Sequence, residues 1–208
     1  MKWQENYPKI LLFAYILVWI WAAINPNYRS VWIDENIMPV LFLGILIISF
    51  RWFKLSNLSY TLIFIFLVLH TIGGHYSYSE MPLFNWIKEN YDLDRNHYDR
   101  IVHFLFGVLF FYPIYEVLNR IFLVLKGWRC LFLAFLVIAA FKGIFEVIEY
   151  AYTAVRNNSL TVTNYLGEQG DYFDALKDIG LGILGGLISW ITISFKNQDN
   201  ALRATPLG

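Results

Sequence analysis

Six stretches of the chain are almost wholly apolar, and each is bounded by polar or aromatic segments. A membrane-spanning helix needs roughly 20 such residues, with a range of about 17–25. By that measure the sequence predicts helices over about residues 8–24, 36–52, 58–74, 99–118, 129–150 and 174–195. Two longer polar loops interrupt the pattern, one from His75 to Tyr98 and one reading TAVRNNSLTVTNYLGEQG. A polar tail over about 196–208 is expected to fray. The predicted fold is all-α: a polytopic membrane bundle of six transmembrane helices in one domain covering 1–208. The opening segment, MKWQENYPKILLFAYILVWIWAAIN, has the basic start and apolar centre of a signal peptide. It reads as the first transmembrane helix.

Composition agrees with that reading. Of 208 residues, 58% are hydrophobic, 15% are charged, and mean hydropathy is +0.48. Soluble domains carry about 25% charged residues. The formal net charge is zero, which gives no electrostatic footprint for a nucleic-acid partner. One cysteine, Cys130, rules out an intrachain disulfide. Trp3, Trp32, Trp52, Trp86 and Trp128 flank the apolar runs, as an interfacial aromatic belt does. The loop WIKENYDLDRNHYDR is amphipathic and reads first as a solvated loop, with a partial lid on the outer membrane surface as the alternative.

Basic residues set the expected orientation. With the N-terminus inside, the inner segments hold Lys2, Lys9, Arg51, Lys54, Arg120, Lys126, Arg129, Lys196 and Arg203. The outer segments hold Arg29, Lys88, Arg95, Arg100, Arg156 and Lys177. Both termini are therefore expected to be cytoplasmic.

Four polar clusters then fall at the outer face. His70 and His75 close the third span, and Asp99 and His103 open the fourth. Lys142, Glu146 and Glu149 close the fifth, and Asp171, Asp174 and Asp178 open the sixth. Spacings of three and four put each set on one helical face. Gly107 continues the fourth-span stripe, and Gly182 and Gly186 continue the sixth. Small residues at that spacing let a second backbone approach closely. A carboxylate as deep as Asp178 is costly in a membrane unless it is paired, and His103, His70 and Glu146 are its expected partners.

Imidazoles and carboxylates without thiolates suit Zn²⁺, Mn²⁺ or Fe²⁺. The expected ligands are His70, Asp99, His103, Asp174 and Asp178, with Glu146 and Glu149 as catalytic carboxylates. His75, Lys142 and Asp171 are placed as lining residues. Plainer roles compete with these. Asp171 and Asp174 suit helix caps, as does Asp99. His70 suits a satisfied core position and His75 a loop lining. Lys142 and Glu146 suit a structural ion pair. Glu116, about 25 Å along the helix from Asp99, is read as an interface residue near Arg120.

The segments LHTIGGHYSY, DRIVHFLFG, EVIEY and QGDYFDALKDI together resemble the YjdF-like inner-membrane proteins, a bacterial family of unknown function. The resemblance runs from the third span to the sixth. DRIVHF followed by DALKDIGLGILGG is also similar, over the last three spans, to the VanZ-like membrane proteins. That second family is associated with glycopeptide resistance at the cell envelope. The resemblances imply an inner-membrane bundle and assign no reaction. Three functions remain open from the residues. One is a metal-dependent enzyme on a lipid or lipid-linked envelope substrate. The second is a transporter of a cation, proton or small solute, and the third is a non-catalytic envelope factor built on a polar network. Membrane lipids are the expected surroundings, and oligomeric state is not encoded legibly.

Overall fold

The computed structural model describes residues 2–156 and 168–204. The central part of the second polar loop, 157–167, and the last tail residues, 205–208, lie outside them. Among the described residues are seven α-helices and no strand: α1 (Lys2–Ala23), α2 (Arg29–Ser49), α3 (Asn57–His75), α4 (Pro82–Asn90), α5 (Tyr98–Ile121), α6 (Trp128–Arg156) and α7 (Asp174–Ala204). All but the short α4 are long and apolar enough to cross a membrane. With no water in the hydrocarbon, an apolar run satisfies its own backbone hydrogen bonds by becoming a helix.

Four helices run past the expected spans, with α1 beginning at Lys2 and α6 ending at Arg156. The second helix starts at Arg29 and not near 36, because Asp34 and Glu35 belong to its first turns. Those charges set the sequence boundary too late. The last helix continues past the apolar run to Ala204.

α5 lies at the centre and packs on α3, α6 and α7, while α1 and α2 pack on α3. The apolar middle of the bundle holds Ile63, Leu67, Phe110, Phe111, Leu131, Ala134 and Ile138, all buried. The closest approach is between α5 and α7. A Cβ at Gly107 would sit 2.0 Å from the carbonyl oxygen of Gly182 and 2.6 Å from the amide nitrogen of Gly186. A Cβ at Gly185 would meet the Phe104 carbonyl oxygen at 2.2 Å. Only glycine permits that contact, which is what the GILGG spacing anticipates.

The end of the bundle where α1 begins and α5 closes holds Glu116. Its carboxylate accepts from the Ser56 backbone N–H at 2.8 Å, from Ser56 Oγ at 2.7 Å and from Ser59 Oγ at 2.5 Å. Arg120 donates to the same group at 3.2 Å. Ser56 is the N-cap of α3, so one acid on α5 anchors the start of another helix. Glu116→Ala is expected to destabilise the protein by about 1–3 kcal/mol, the usual cost of stranding buried donors. Thermal unfolding in detergent reads this out, and an unchanged midpoint would refute the anchoring role.

At the opposite end, α3 closes on α1. The His75 ring donates from Nδ1 to the Ala22 carbonyl at 2.9 Å and stacks on Trp21, with centroids 4.7 Å apart. The loop after α3 turns through Ser77 and Tyr78, both at positive φ, and lays the Tyr78 ring against Gly73. α4 then runs across this end, with Phe84 packed on Tyr98 at 5.3 Å and Leu83 and Trp86 exposed. Asn96, fully buried, ties the layer together. It donates to Met81 O at 3.1 Å and to Asn85 Oδ1 at 2.7 Å, and exchanges two bonds with Gln169. Gly170, at φ 84°, makes the turn that leads into α7.

Candidate metal and ion-pair site

The starts of α5 and α7 and the C-terminal half of α6 meet at this same end. Asp99 and His103 project from one face of α5, Asp178 from α7, and Lys142 and Glu146 from α6. The His103 Nε2 lies 3.2 Å from Asp99 Oδ1. Its Nδ1 lies 2.7 Å from Lys142 Nζ, 3.5 Å from Glu146 Oε1 and 3.7 Å from Asp178 Oδ1. Lys142 also donates to Glu146 at 3.0 Å. An ammonium has donors only. His103 Nδ1 is therefore the acceptor, and Nε2 carries the ring proton toward Asp99.

Asp99, His103 and Asp178 offer three ligand atoms that all lie within 4.8 Å of one another. Asp178 is 2% exposed, and its Oδ1 has no hydrogen-bond partner among the described residues. Its charged neighbours stand off at 3.7 Å: His103 Nδ1 and Arg100 Nη1. A buried carboxylate oxygen normally takes direct hydrogen bonds, so this one is short of a donor or an ion.

Asp174 takes a different place from the one expected. Arg95 Nη1 and Arg100 Nη2 each reach its Oδ1 at 2.5 Å, and all three side chains are buried. Asp171 sits beside them, 2.9 Å from Arg100 and 2.5 Å from Lys177. It also accepts from the Phe173 amide at 3.1 Å. The Lys177 hydrogen bond, then that amide, hold the Asp171 carboxyl below its usual pKa. Asp171 and Asp174 thus pin the start of α7 to the α4–α5 loop. A surface cavity of about 580 Å³ opens beside this cluster, lined by Asp92, Arg95, His97, Arg100, Asp171 and Lys177, among others. Partial burial, and then the two arginines, push the His97 imidazole pKa down.

His70 also stands apart from the triad. Its Nε2 donates to the Glu35 carbonyl at 3.0 Å, which leaves Nδ1 to accept from the Tyr78 hydroxyl at 2.5 Å. Glu35 Oε2 is 3.7 Å from the same ring. Both ring nitrogens are therefore engaged. His75 is engaged by Ala22 and Trp21, as described above. Of the residues the sequence grouped as ligands, the structure brings together Asp99, His103 and Asp178. It places His70 and Asp174 in separate contacts. Glu149 faces the acidic side of the cluster, with Glu146, Asp99, Glu35 and Lys142 as its charged neighbours.

The sequence places Arg95 and Arg100 at this end only as topology signals, and it does not announce them or Glu35 as partners in the cluster. The signal for the arginines was the demand of three aspartates at one helix start for cations. The whole group holds seven carboxylates, Glu35, Asp99, Glu146, Glu149, Asp171, Asp174 and Asp178, against four cations, Arg95, Arg100, Lys142 and Lys177. Three formal negative charges remain at the edge of a low-dielectric bundle. Such an excess favours a bound cation or proton.

A six-span helical bundle with a polar cluster at one end is an integral membrane protein. The chain belongs to the family described as "Predicted membrane protein (DUF2238)", which matches residues 7–199. It is also 28% identical over 178 residues to "Inner membrane protein YjdF" of Escherichia coli (strain K12), covering 86% of this chain and 84% of that protein. No solved structure matches. The protein is a multi-pass inner-membrane protein.

Proposed function

We propose that this protein is a divalent-metal-dependent membrane enzyme acting on a lipid or lipid-linked envelope substrate. The observation that carries the reading is the cluster of half-buried Asp99, His103 and buried Asp178, whose Oδ1 lacks a hydrogen bond and lies 3.7 Å from His103 Nδ1. Zn²⁺, Mn²⁺ or Fe²⁺ suits one imidazole and two carboxylates. A bound ion supplies Lewis acidity and a water that ionises near neutral pH. Glu146 and Glu149, one turn apart on α6, are the carboxylates that would hold or accept a proton beside the triad. Arg100 reaches both the triad and the surface cavity, so it is placed to orient an anionic substrate group.

The depth of the site favours a lipid-borne substrate. His103 and Asp178 lie about 6–8 Å inside the ends of their helices, where headgroup meets hydrocarbon. The basic-residue bias puts that end on the extracytoplasmic side. Transport is the weaker reading. Beneath Lys142 and Asp178 the bundle is filled by Ile138, Phe111 and Ala134, each 0% exposed, and the described residues offer no polar path across.

The test is turnover by the protein reconstituted in liposomes and supplied with lipid-linked esters and phosphoesters. Product is expected only with Zn²⁺ or Mn²⁺ present, and chelator should abolish it. A metal-loaded protein that turns over none of these substrates would overturn the enzymatic reading.

A further inference from the structure

Lys142 is the most unusual residue of this end: an ammonium 4% exposed inside a membrane bundle, its Nζ pressed against a histidine. Its alkyl stem crosses α7 at Gly182, where a Cβ would lie 2.5 Å from Lys142 Cγ and 2.9 Å from Cδ. Gly182 therefore serves two contacts: its backbone meets Gly107, and its missing side chain admits this lysine. Packing of that kind aims the ammonium at one place, between His103 Nδ1 and Glu146 Oε1.

That place is incompatible with a metal-bound His103. If the ion takes Nδ1, the ammonium and the ion compete for one lone pair. If the ion takes Nε2, Nδ1 must carry the ring proton, and a metal-ligating histidine donates that proton to an acceptor. Glu146 Oε1, 3.5 Å away, is that acceptor. In both cases Lys142 has to leave His103. We infer that Lys142 is a built-in counter-cation, which occupies the acidic site when no metal is bound and is displaced from His103 when a divalent ion enters. This rests on the metal-site reading above. It adds that the site is held in a defended form, its negative charge partly offset by the lysine, and that metal affinity is set by how readily one lysine withdraws. Glu146 and Glu149 are the carboxylates that would keep it.

Lys142→Met keeps an unbranched stem over Gly182 and removes the charge. Zinc and manganese are titrated into the detergent-purified full chain by competition with a chromophoric chelator, for the wild type and for this variant. The variant is expected to bind about tenfold or more tightly, because a positive charge no longer opposes the ion at short range. Its metal-free form is expected to melt below the metal-free wild type, and added metal should restore the loss. A purely structural Lys142–Glu146 pair behaves differently: the variant melts lower, metal does not restore it, and affinity stays level or falls. That result overturns the counter-cation role. Lys142→Gln, also uncharged, serves the same comparison where the methionine variant does not fold. Wild type and variants that all fail to bind metal would overturn the metal site itself, and the counter-cation with it. Metal binding by the wild type without a gain in the variants overturns only the counter-cation.

Discussion

Gly107→Ala is expected to be the most damaging alanine substitution among the described glycines. The new carbon would meet the backbone of α7, not a side chain that could swing aside: the Gly182 carbonyl oxygen at 2.0 Å and the Gly186 nitrogen at 2.6 Å. α5 and α7 must then separate along their closest seam. Overpacking of a well-filled core costs about 1–3 kcal/mol, and a clash with backbone lies at the upper end of that range. The consequence is also local to the site, because His103 stands one turn from Gly107 and Asp178 one turn from Gly182. A lowered melting midpoint together with weakened metal binding is expected in detergent. Gly143→Ala, where nothing lies within 4 Å of the added carbon, is the control and should leave both measurements near wild type.

Asp178→Ala is expected to remove metal binding while leaving the bundle folded. The carboxylate contributes a buried oxygen that no described residue hydrogen-bonds, so its loss strands no close donor. Arg100 keeps Asp171 and Asp174, and His103 keeps Asp99 and Lys142. The variant also removes one carboxylate from a cluster in which carboxylates outnumber cations, which favours the metal-free fold. A stable variant without metal is the signature of a ligand. A variant that unfolds would instead mark Asp178 as a structural acid.

Much of this arrangement was legible because membranes simplify the code. An apolar run of span length has one stable form, so six helices follow from hydropathy. Polar residues at spacing four inside such runs are poorly explained by helix capping at the depth of His103 and Asp178, which marks them as a site or a buried polar network. The GILGG pattern likewise announces a close helix contact, while Glu116 reads only as an interface residue near Arg120, its bonds to Ser56 and Ser59 depending on the fold. What the sequence hid was pairing across distance. Arg95 and Arg100 sit in and beside a polar loop and count there as topology signals. Only the fold carries them 2.5 Å from Asp174. His70 resembles a ligand until its two nitrogens are traced, one to the backbone of α2 and one to Tyr78. The first contact depends on α2 starting at Arg29. The second depends on a turn with positive φ at Ser77 and Tyr78, and no periodicity encodes either.

The counter-cation and the metal triad describe one site in two conditions. Lys142 makes the acidic cluster tolerable in the bundle, and the same compensation raises the barrier to a divalent ion. A site of this kind discriminates by charge, since a monovalent ion gains little over the lysine it would replace.

The most direct test is elemental analysis of the protein purified without chelator, beside Asp178→Ala and His103→Ala. About one equivalent of zinc, manganese or iron per chain in the wild type, lost in both folded variants, is the result this account predicts. A wild type that carries no transition metal and takes up none on dialysis, or variants that retain it in full, would contradict it.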